Sequence, residues 1–231
     1  MSGETAWRSG DAWAEAGIRA AVVVAHGGKS VSTEPTGPLE LAVLRMAPLA
    51  NAIRRALRGC GVAVCQPRFQ VQGWNGDLAS PVADLGRVLD ETCLRYGDIP
   101  VVLIGHSMGA RAAFRVAGHP AVTAIAGLAP WLPPGEPVDQ LAARRVLLAH
   151  GTADRVTPPA ETWSYAGRAR SVTDVAVIEV RGGEHTMVWR APLWHRLAVE
   201  FSRLSLGLPA GPGEVAKAFK EATAGDQRTL A

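Results

Sequence analysis

Short apolar runs alternate with longer amphipathic stretches along most of the chain. Six runs have the length of buried strands, and they cover residues 19–25, 61–65, 100–104, 121–126, 145–149 and 174–180. The intervening stretches favour helices over residues 41–58, 80–96, 108–117, 138–143, 159–169 and 190–206. This alternation predicts an α/β fold, with a mostly parallel sheet of about six strands and helices on both of its faces.

The pattern changes after the last of these helices. Residues 208–213 are Leu-Pro-Ala-Gly-Pro-Gly, which is a linker composition. We therefore divide the chain into one α/β domain at residues 1–207 and a linker and tail at residues 208–231. Within the tail, residues 214–223 have the pattern of a short helix, and the last residues are expected to be loose.

Composition excludes several classes of protein. With 231 residues and 48% hydrophobic residues, the chain can bury one continuous core, but it has no apolar run near the roughly 18 residues of a membrane span. The first residues lack the basic and apolar segments of a secretion signal, so a cytoplasmic location is expected. The formal charge of +3 is spread along the chain without a basic cluster, so no nucleic-acid partner is expected.

One pentapeptide carries a recognisable chemistry. Gly105-His106-Ser107-Met108-Gly109 lies between a predicted strand and a predicted helix. In the G-x-S-x-G pattern a serine sits on a sharp strand-to-helix turn, with its hydroxyl held above the sheet, and we expect the two glycines to permit that bend. Glycine and serine are common, so the context of the motif must decide its meaning.

Other polar motifs also follow predicted strands. The first strand is followed by His26-Gly27-Gly28-Lys29, the fifth by His150-Gly151-Thr152-Ala153-Asp154, and the sixth by Gly182-Gly183-Glu184-His185-Thr186. The carboxyl ends of parallel strands meet at one edge of a sheet. We therefore expect Ser107, Asp154 and His185 to lie together there.

With these motifs in this order, residues 19–206 resemble the α/β-hydrolases. The resemblance implies that Ser107 is the nucleophile, His185 the general base and Asp154 the acid that orients it. It also implies an oxyanion hole made by backbone N–H groups of Met108 and Gly28, with Lys29 as the neighbouring candidate.

Two spacings depart from the fuller members of that family. Only about eighteen residues precede the first clear strand, so we expect a shortened sheet without the N-terminal hairpin of larger relatives. Fewer than about twenty residues separate the strand ending near Ala126 from the one starting near Arg145, too few for a separate cap domain. The site should therefore be open. Trp131 and Trp74 follow strand ends and are candidates for a substrate-binding apolar wall, with packing at the rim as an equal alternative.

The resulting hypothesis is a serine hydrolase that cleaves a small-to-medium carboxylic ester or thioester through an acyl-enzyme, without a cofactor. Its expected partner is the small-molecule substrate. An acyltransferase or cyclase acting on a secondary-metabolic substrate would use the same three side chains. A non-catalytic binding protein on the same fold is the third possibility.

Several residues have competing interpretations. Asp154 is also a plausible turn residue, and His195 is the only histidine downstream of His185, although it falls inside a predicted helix. His26, His106 and His150 share the sheet edge, but no carboxylate or cysteine pattern accompanies them. We expect these three to be packed or hydrogen-bonded residues beneath the site, with no metal.

Overall fold

Seven strands form one sheet in the computed structural model, which describes residues 17–223 and 228–231. The strands are β1 (Ala20–Ala25), β2 (Val62–Cys65), β3 (Val101–His106), β4 (Val122–Leu128), β5 (Arg145–Gly151), β6 (Val175–Val180) and β7 (Thr229–Leu230). They lie in the order β2-β1-β3-β4-β5-β6-β7, and every pairing among them is parallel. The six predicted strands are confirmed.

Helices follow most of the strands. They are α1 (Leu41–Ala56), α2 (Ser80–Tyr96), α3 (Met108–Arg115), α4 (Pro159–Ala169), α5 (Ala191–Ser205) and α6 (Glu214–Thr223), with 3₁₀ turns at Gly76–Leu78 and Asp139–Leu141. The helix predicted over residues 138–143 is thus only a single turn. None of the described helices is long and apolar enough to cross a membrane.

The helices divide between the two faces of the sheet. Successive side chains of a strand point to opposite faces, so Ala21 and Val23 of β1 enter one core while Val22 and Val24 enter the other. Helices α2, α3 and α4 cover the first core, and α1, α5 and α6 cover the second. Both faces are therefore buried, which explains why the strands read as continuous apolar runs.

The connection between β4 and β5 holds only loop and the 3₁₀ turn, so no cap domain is inserted at this point of the chain. This confirms the expectation drawn from its length. Within residues 17–223 and 228–231, no inserted domain lies over the carboxyl ends of β3, β5 and β6.

The tail packs onto the sheet. Helix α6 matches the predicted short helix and buries Val215 and Ala218 in the second core. Strand β7 then pairs with β6 through Thr229 and Leu230. The expectation that the last residues are loose is wrong for residues 228–231, because their backbone completes the edge of the sheet.

Candidate active site

Ser107 occupies the turn between β3 and α3 in a strained conformation. Its φ is 53° and its ψ is −119°, a region that residues with a side chain rarely adopt. The backbone therefore reverses at the serine itself, which holds its side chain at the carboxyl edge of the sheet.

The flanking glycines serve close packing of backbone. A Cβ on Gly105 would overlap the backbone of Ala110 in α3, and a Cβ on Gly109 would overlap the carbonyl oxygen of His26 after β1. Neither glycine has a positive φ. Ser107 takes the strained conformation, and the glycines let α3 approach β1 and β3. The expectation that this turn leaves no room for side chains at its flanks is confirmed.

The three predicted side chains meet in one hydrogen-bonded chain. His185 Nε2 lies 2.9 Å from Ser107 Oγ, and His185 Nδ1 lies 2.8 Å from Asp154 Oδ2. With its proton on Nδ1, the imidazole donates to the carboxylate and accepts from the serine hydroxyl. The carboxylate is fully buried, and the His185 side chain is 11% exposed. This arrangement can move a proton from the hydroxyl to the ring.

Two further glycines bring the acid and histidine loops together. A Cβ on Gly151 would overlap the carbonyl of Gly183, and the Ala153 N–H donates to that same carbonyl at 3.0 Å. The loops after β5 and β6 are therefore joined through backbone. This contact sets the separation between Asp154 and His185.

Comparison with known proteins shows which fold this is. No protein-family model matches the sequence, and no curated protein matches it either. Solved structures do. A serine hydrolase homologue from Coxiella burnetii has 20% identity and a TM-score of 0.60, covering 80% of this chain and 86% of its own. A serine hydrolase without a lid from Xanthomonas campestris has 18% identity and a TM-score of 0.59, covering 84% of this chain and 85% of its own. An esterase from Pyrococcus furiosus has 15% identity and a TM-score of 0.63, covering 84% of this chain and 85% of its own. The chain has the α/β-hydrolase fold.

In this hydrolase fold the buried acid is held by five hydrogen bonds. Asp154 Oδ1 accepts from the N–H groups of Val156 (2.8 Å) and Thr157 (3.0 Å). Its Oδ2 lies 3.0 Å from His150 Nε2, 3.1 Å from Thr157 Oγ1 and 2.8 Å from His185 Nδ1. Burial alone would raise the pKa of Asp154, but hydrogen bonds from His150, His185 and the two backbone N–H groups outweigh it and lower the pKa below its ordinary range. The carboxylate therefore stays ionised.

His150 and Thr157 are site residues that the sequence analysis missed in this role. His150 is fully buried, and its Nδ1 lies 2.7 Å from the hydroxyl of Thr162. When that hydroxyl donates to Nδ1, the ring carries its proton on Nε2 and donates to Asp154. Thr157 Oγ1 also lies 3.1 Å from His185 Nδ1. The signal was present, because both residues belong to the segment His150–Thr157 that carries the acid.

His26 and His106 are packed beneath the site, as expected. His26 Nδ1 donates to the Gly27 carbonyl at 2.6 Å and its Nε2 accepts from the Phe69 N–H at 3.1 Å. His106 Nε2 donates to the His185 carbonyl at 2.8 Å, which ties β3 to the histidine loop. Burial lowers the pKa of His26 to about 4 and that of His106 to about 3, so both are neutral near pH 7. Across the described ranges, no group of His, Cys, Asp and Glu lies close enough together to hold a metal ion.

The candidate oxyanion donors differ in their availability. Met108 is the first residue of α3, so its N–H has no acceptor within the helix. The Lys29 N–H donates to the Gln72 carbonyl at 2.8 Å, whereas the Gly28 N–H has no protein acceptor in the part of the chain described. A Cβ on Gly28 would overlap the Met108 thioether, so the Met108 side chain packs directly against Gly28. Of the two loop candidates, only Gly28 has an uncommitted N–H.

The two candidate tryptophans lie in different environments. Trp74 is only 3% exposed and belongs to the first core, which leaves it little surface for a substrate. Trp131 is partly exposed, and its backbone N–H donates to the Ser107 carbonyl at 3.3 Å. The Arg111 guanidinium lies 3.9 Å from the Trp74 ring centre and 4.4 Å from that of Trp131, and it pairs with the buried Glu136 at 2.6 Å. Arg111 and Glu136 were not among the residues singled out from the sequence.

Proposed function

We propose that this chain is a serine hydrolase that cleaves small-to-medium carboxylic esters or thioesters through an acyl-enzyme. The observation that carries the proposal is the unbroken chain of contacts from Ser107 Oγ to His185 Nε2 (2.9 Å) and from His185 Nδ1 to Asp154 Oδ2 (2.8 Å). The strained serine at its start adds support. Solved structures that share this fold and are named serine hydrolases or esterases agree with it.

The proposed reaction begins with attack of Ser107 Oγ on the substrate carbonyl carbon. His185 Nε2 takes the hydroxyl proton as the new C–O bond forms, and the carbonyl π electrons move to the oxygen. His185 then returns the proton to the leaving alcohol or thiol as its bond to carbon breaks. In the second half, His185 deprotonates a water that attacks the acyl-enzyme, and the proton passes to Ser107 as the acid is released.

Asp154 would act in both halves without changing its own protonation. Its lowered pKa keeps it charged, so it holds the His185 proton on Nδ1 and stabilises the imidazolium. In the proposed oxyanion hole, the N–H groups of Met108 and Gly28 receive the negative oxygen of the tetrahedral intermediate. The hydrogen bond already made by the Lys29 N–H favours Gly28 over its neighbour.

The proposed substrate preference rests on the open edge of the sheet. Among the described residues no inserted domain lies over Ser107, and Trp131, whose backbone N–H donates to the Ser107 carbonyl, keeps a partly exposed side chain. We propose Trp131 as an apolar wall for the acyl or alcohol group, with Trp74 and Arg111 packed behind it.

A fluorophosphonate probe tests the proposed nucleophile. We expect it to label the wild-type protein and the exposed-site control Ser171→Ala, and to leave Ser107→Ala unlabelled. Turnover of a nitrophenyl ester should fall by about 10⁴-fold or more in Ser107→Ala. A wild-type protein that resists the probe would favour the binding-protein alternative, and labelling that survives in Ser107→Ala would move the nucleophile elsewhere.

A series of nitrophenyl esters of increasing acyl length tests the substrate class. The open site predicts the highest kcat/KM for short and medium acyl groups. Activity restricted to long acyl chains would contradict the proposed preference while leaving the proposed nucleophile intact.

A further inference from the structure

A cavity lies between α1 and α5, with Met187 and Val188 from the loop after His185 in its wall. Its volume is about 360 Å³, within the range of small-molecule sites. Its floor includes the buried side chains of Leu49 and Trp194, and its rim includes Leu41 and Val188, which are 74% and 68% exposed. None of Ser107, Asp154 and His185 lines it. Such a combination of buried floor and exposed apolar rim suits the tail of an amphiphilic molecule.

The cavity wall also contains a cation that has no ion-pair partner among the described residues. Arg45 of α1 is half-buried in its wall, and across residues 17–223 and 228–231 its guanidinium makes no hydrogen bond or ion pair. The guanidinium remains protonated at neutral pH. Arginine in an apolar wall is usually paired, because a half-desolvated charge without a counter-ion is unfavourable. An anionic group at this position would supply the missing partner.

The other polar group in the lining, His195, is likewise unpaired within the described chain. Burial and the nearby charge of Arg55 lower the pKa of His195, so the ring is neutral near pH 7 and can donate one hydrogen bond. The remaining lining side chains are apolar apart from the buried indole N–H of Trp194, which has no hydrogen-bond acceptor among the described residues. The cavity therefore combines a largely apolar chamber with three lining residues that have unused donors, Arg45, His195 and Trp194.

We propose that this cavity binds a medium-chain carboxylate, with its alkyl chain on Leu49 and Trp194 and its carboxylate paired with Arg45. The site is distinct from the proposed catalytic one but adjoins it, because Met187 lines the cavity and follows His185 by two residues. A small inorganic anion would leave the apolar floor exposed to water, and a neutral alcohol would leave Arg45 unpaired. Only a ligand with both parts satisfies the whole cavity.

The experiment compares two ligands that differ in the head group alone. Octanoate and 1-octanol are titrated by calorimetry into Ser107→Ala protein, so that neither turnover nor the nucleophile affects the result. We expect saturable binding of octanoate at one site. Arg45→Gln should weaken octanoate binding at least tenfold and change octanol binding less than twofold, since a charge-assisted pair is lost only for the carboxylate. The matched control Arg58→Gln removes an exposed arginine just beyond α1 and should change neither affinity.

A second variant tests the apolar part of the cavity. Ala191→Leu places a larger side chain into the lining at the first turn of α5, where leucine suits a helix, and should weaken both ligands. Octanoate that fails to saturate, or that binds Arg45→Gln as tightly as its parent, overturns the proposal. The proposal is also overturned if octanoate binding survives Ala191→Leu but disappears when Ser107 of the wild-type protein carries a phosphonate. The ligand would then lie in the catalytic site. Octanoate-sensitive dimers in sedimentation would instead assign the cavity to a second copy of the chain and also overturn it.

Discussion

The two ends of the Ser107–His185–Asp154 chain are held in different ways. At the serine end, position comes from a strained backbone and from glycines that let α3 approach β1 and β3. Within the described residues, Ser107 Oγ has one hydrogen-bond partner, His185. At the acid end, five hydrogen bonds end on Asp154. The difference suits the two proposed tasks, because a nucleophile must leave its partner for the substrate, whereas the orienting acid must keep its charge and position throughout.

Asp154→Asn attacks the acid end and should have the largest effect. The amide oxygen of the new asparagine can keep the hydrogen bonds from the backbone N–H groups of Val156 and Thr157. Its NH₂ group then faces the ring N–H groups of His150 and His185, so that donors oppose donors. His185 would then adopt the tautomer that cannot accept from Ser107, and we expect kcat to fall by about 10⁴-fold. Steady-state kinetics with a nitrophenyl ester measures this. Near-normal kcat in a folded variant would place the acid elsewhere.

Gly105→Ala attacks the serine end through sterics. The added methyl would overlap the Ala110 backbone, so we expect a loss of about 2–3 kcal/mol in the free energy of unfolding, together with reduced labelling of Ser107. The matched control is Gly86→Ala in α2, where nothing lies near the added methyl, and which should stabilise the protein by about 0.5–1 kcal/mol. Urea unfolding monitored by circular dichroism compares them. Equal stability of the two variants would show that close packing does not hold the serine turn.

The features that local sequence could predict are those with local causes. Helix α2 begins at Ser80-Pro81 and ends before Gly97, whose φ is 79°, and these signals gave both of its ends. Helix α4, with prolines at its start, also matches its predicted bounds. The three site motifs were located for the same reason, because each follows a strand whose apolar pattern is plain.

The features that were missed depend on contacts between distant segments. Strand β7 has only two residues and exists because β6 offers it an edge, so no pattern marks it. The burial of Trp74 follows from its packing with Arg111 and Trp131, far along the chain. The hydrogen bond from His150 to Asp154 lay within one motif, but the rotamer that makes it depends on Thr162 in α4.

As the pH falls, the free energy of unfolding should lose the contributions of the buried histidines and of Asp154 over different pH ranges. The folded pKa of His26 is about 4 and that of His106 about 3, both below the ordinary 6.5. The unfolded chain therefore binds these protons first, and stability should fall by about 1.4 kcal/mol per pH unit for each buried histidine as the pH drops from about 6.5 towards 4. Asp154 has a lowered pKa, so the stability it contributes is lost only below about pH 4. Urea unfolding across this range tests the order, and His26→Gln should reduce the slope above pH 4 by up to about 1.4 kcal/mol per pH unit, the contribution of one buried histidine. A slope unchanged by that substitution would contradict the neutral buried state of His26.

Within the acid end, the effect of a lost hydrogen bond should fall with distance from Asp154. Thr157→Val removes a hydroxyl that lies 3.1 Å from Asp154 Oδ2 and 3.1 Å from His185 Nδ1, and it keeps the backbone N–H that donates to Oδ1. We expect kcat to fall about tenfold, since one charge-assisted hydrogen bond is lost. Thr162→Val is the matched control, because it removes only the donor to His150 and should lower kcat about twofold. If the two variants are equally active, the five hydrogen bonds do not act on the proposed base through the charge and orientation of Asp154. The acid would then be fixed by packing, as the serine is, and the contrast between the two ends would disappear.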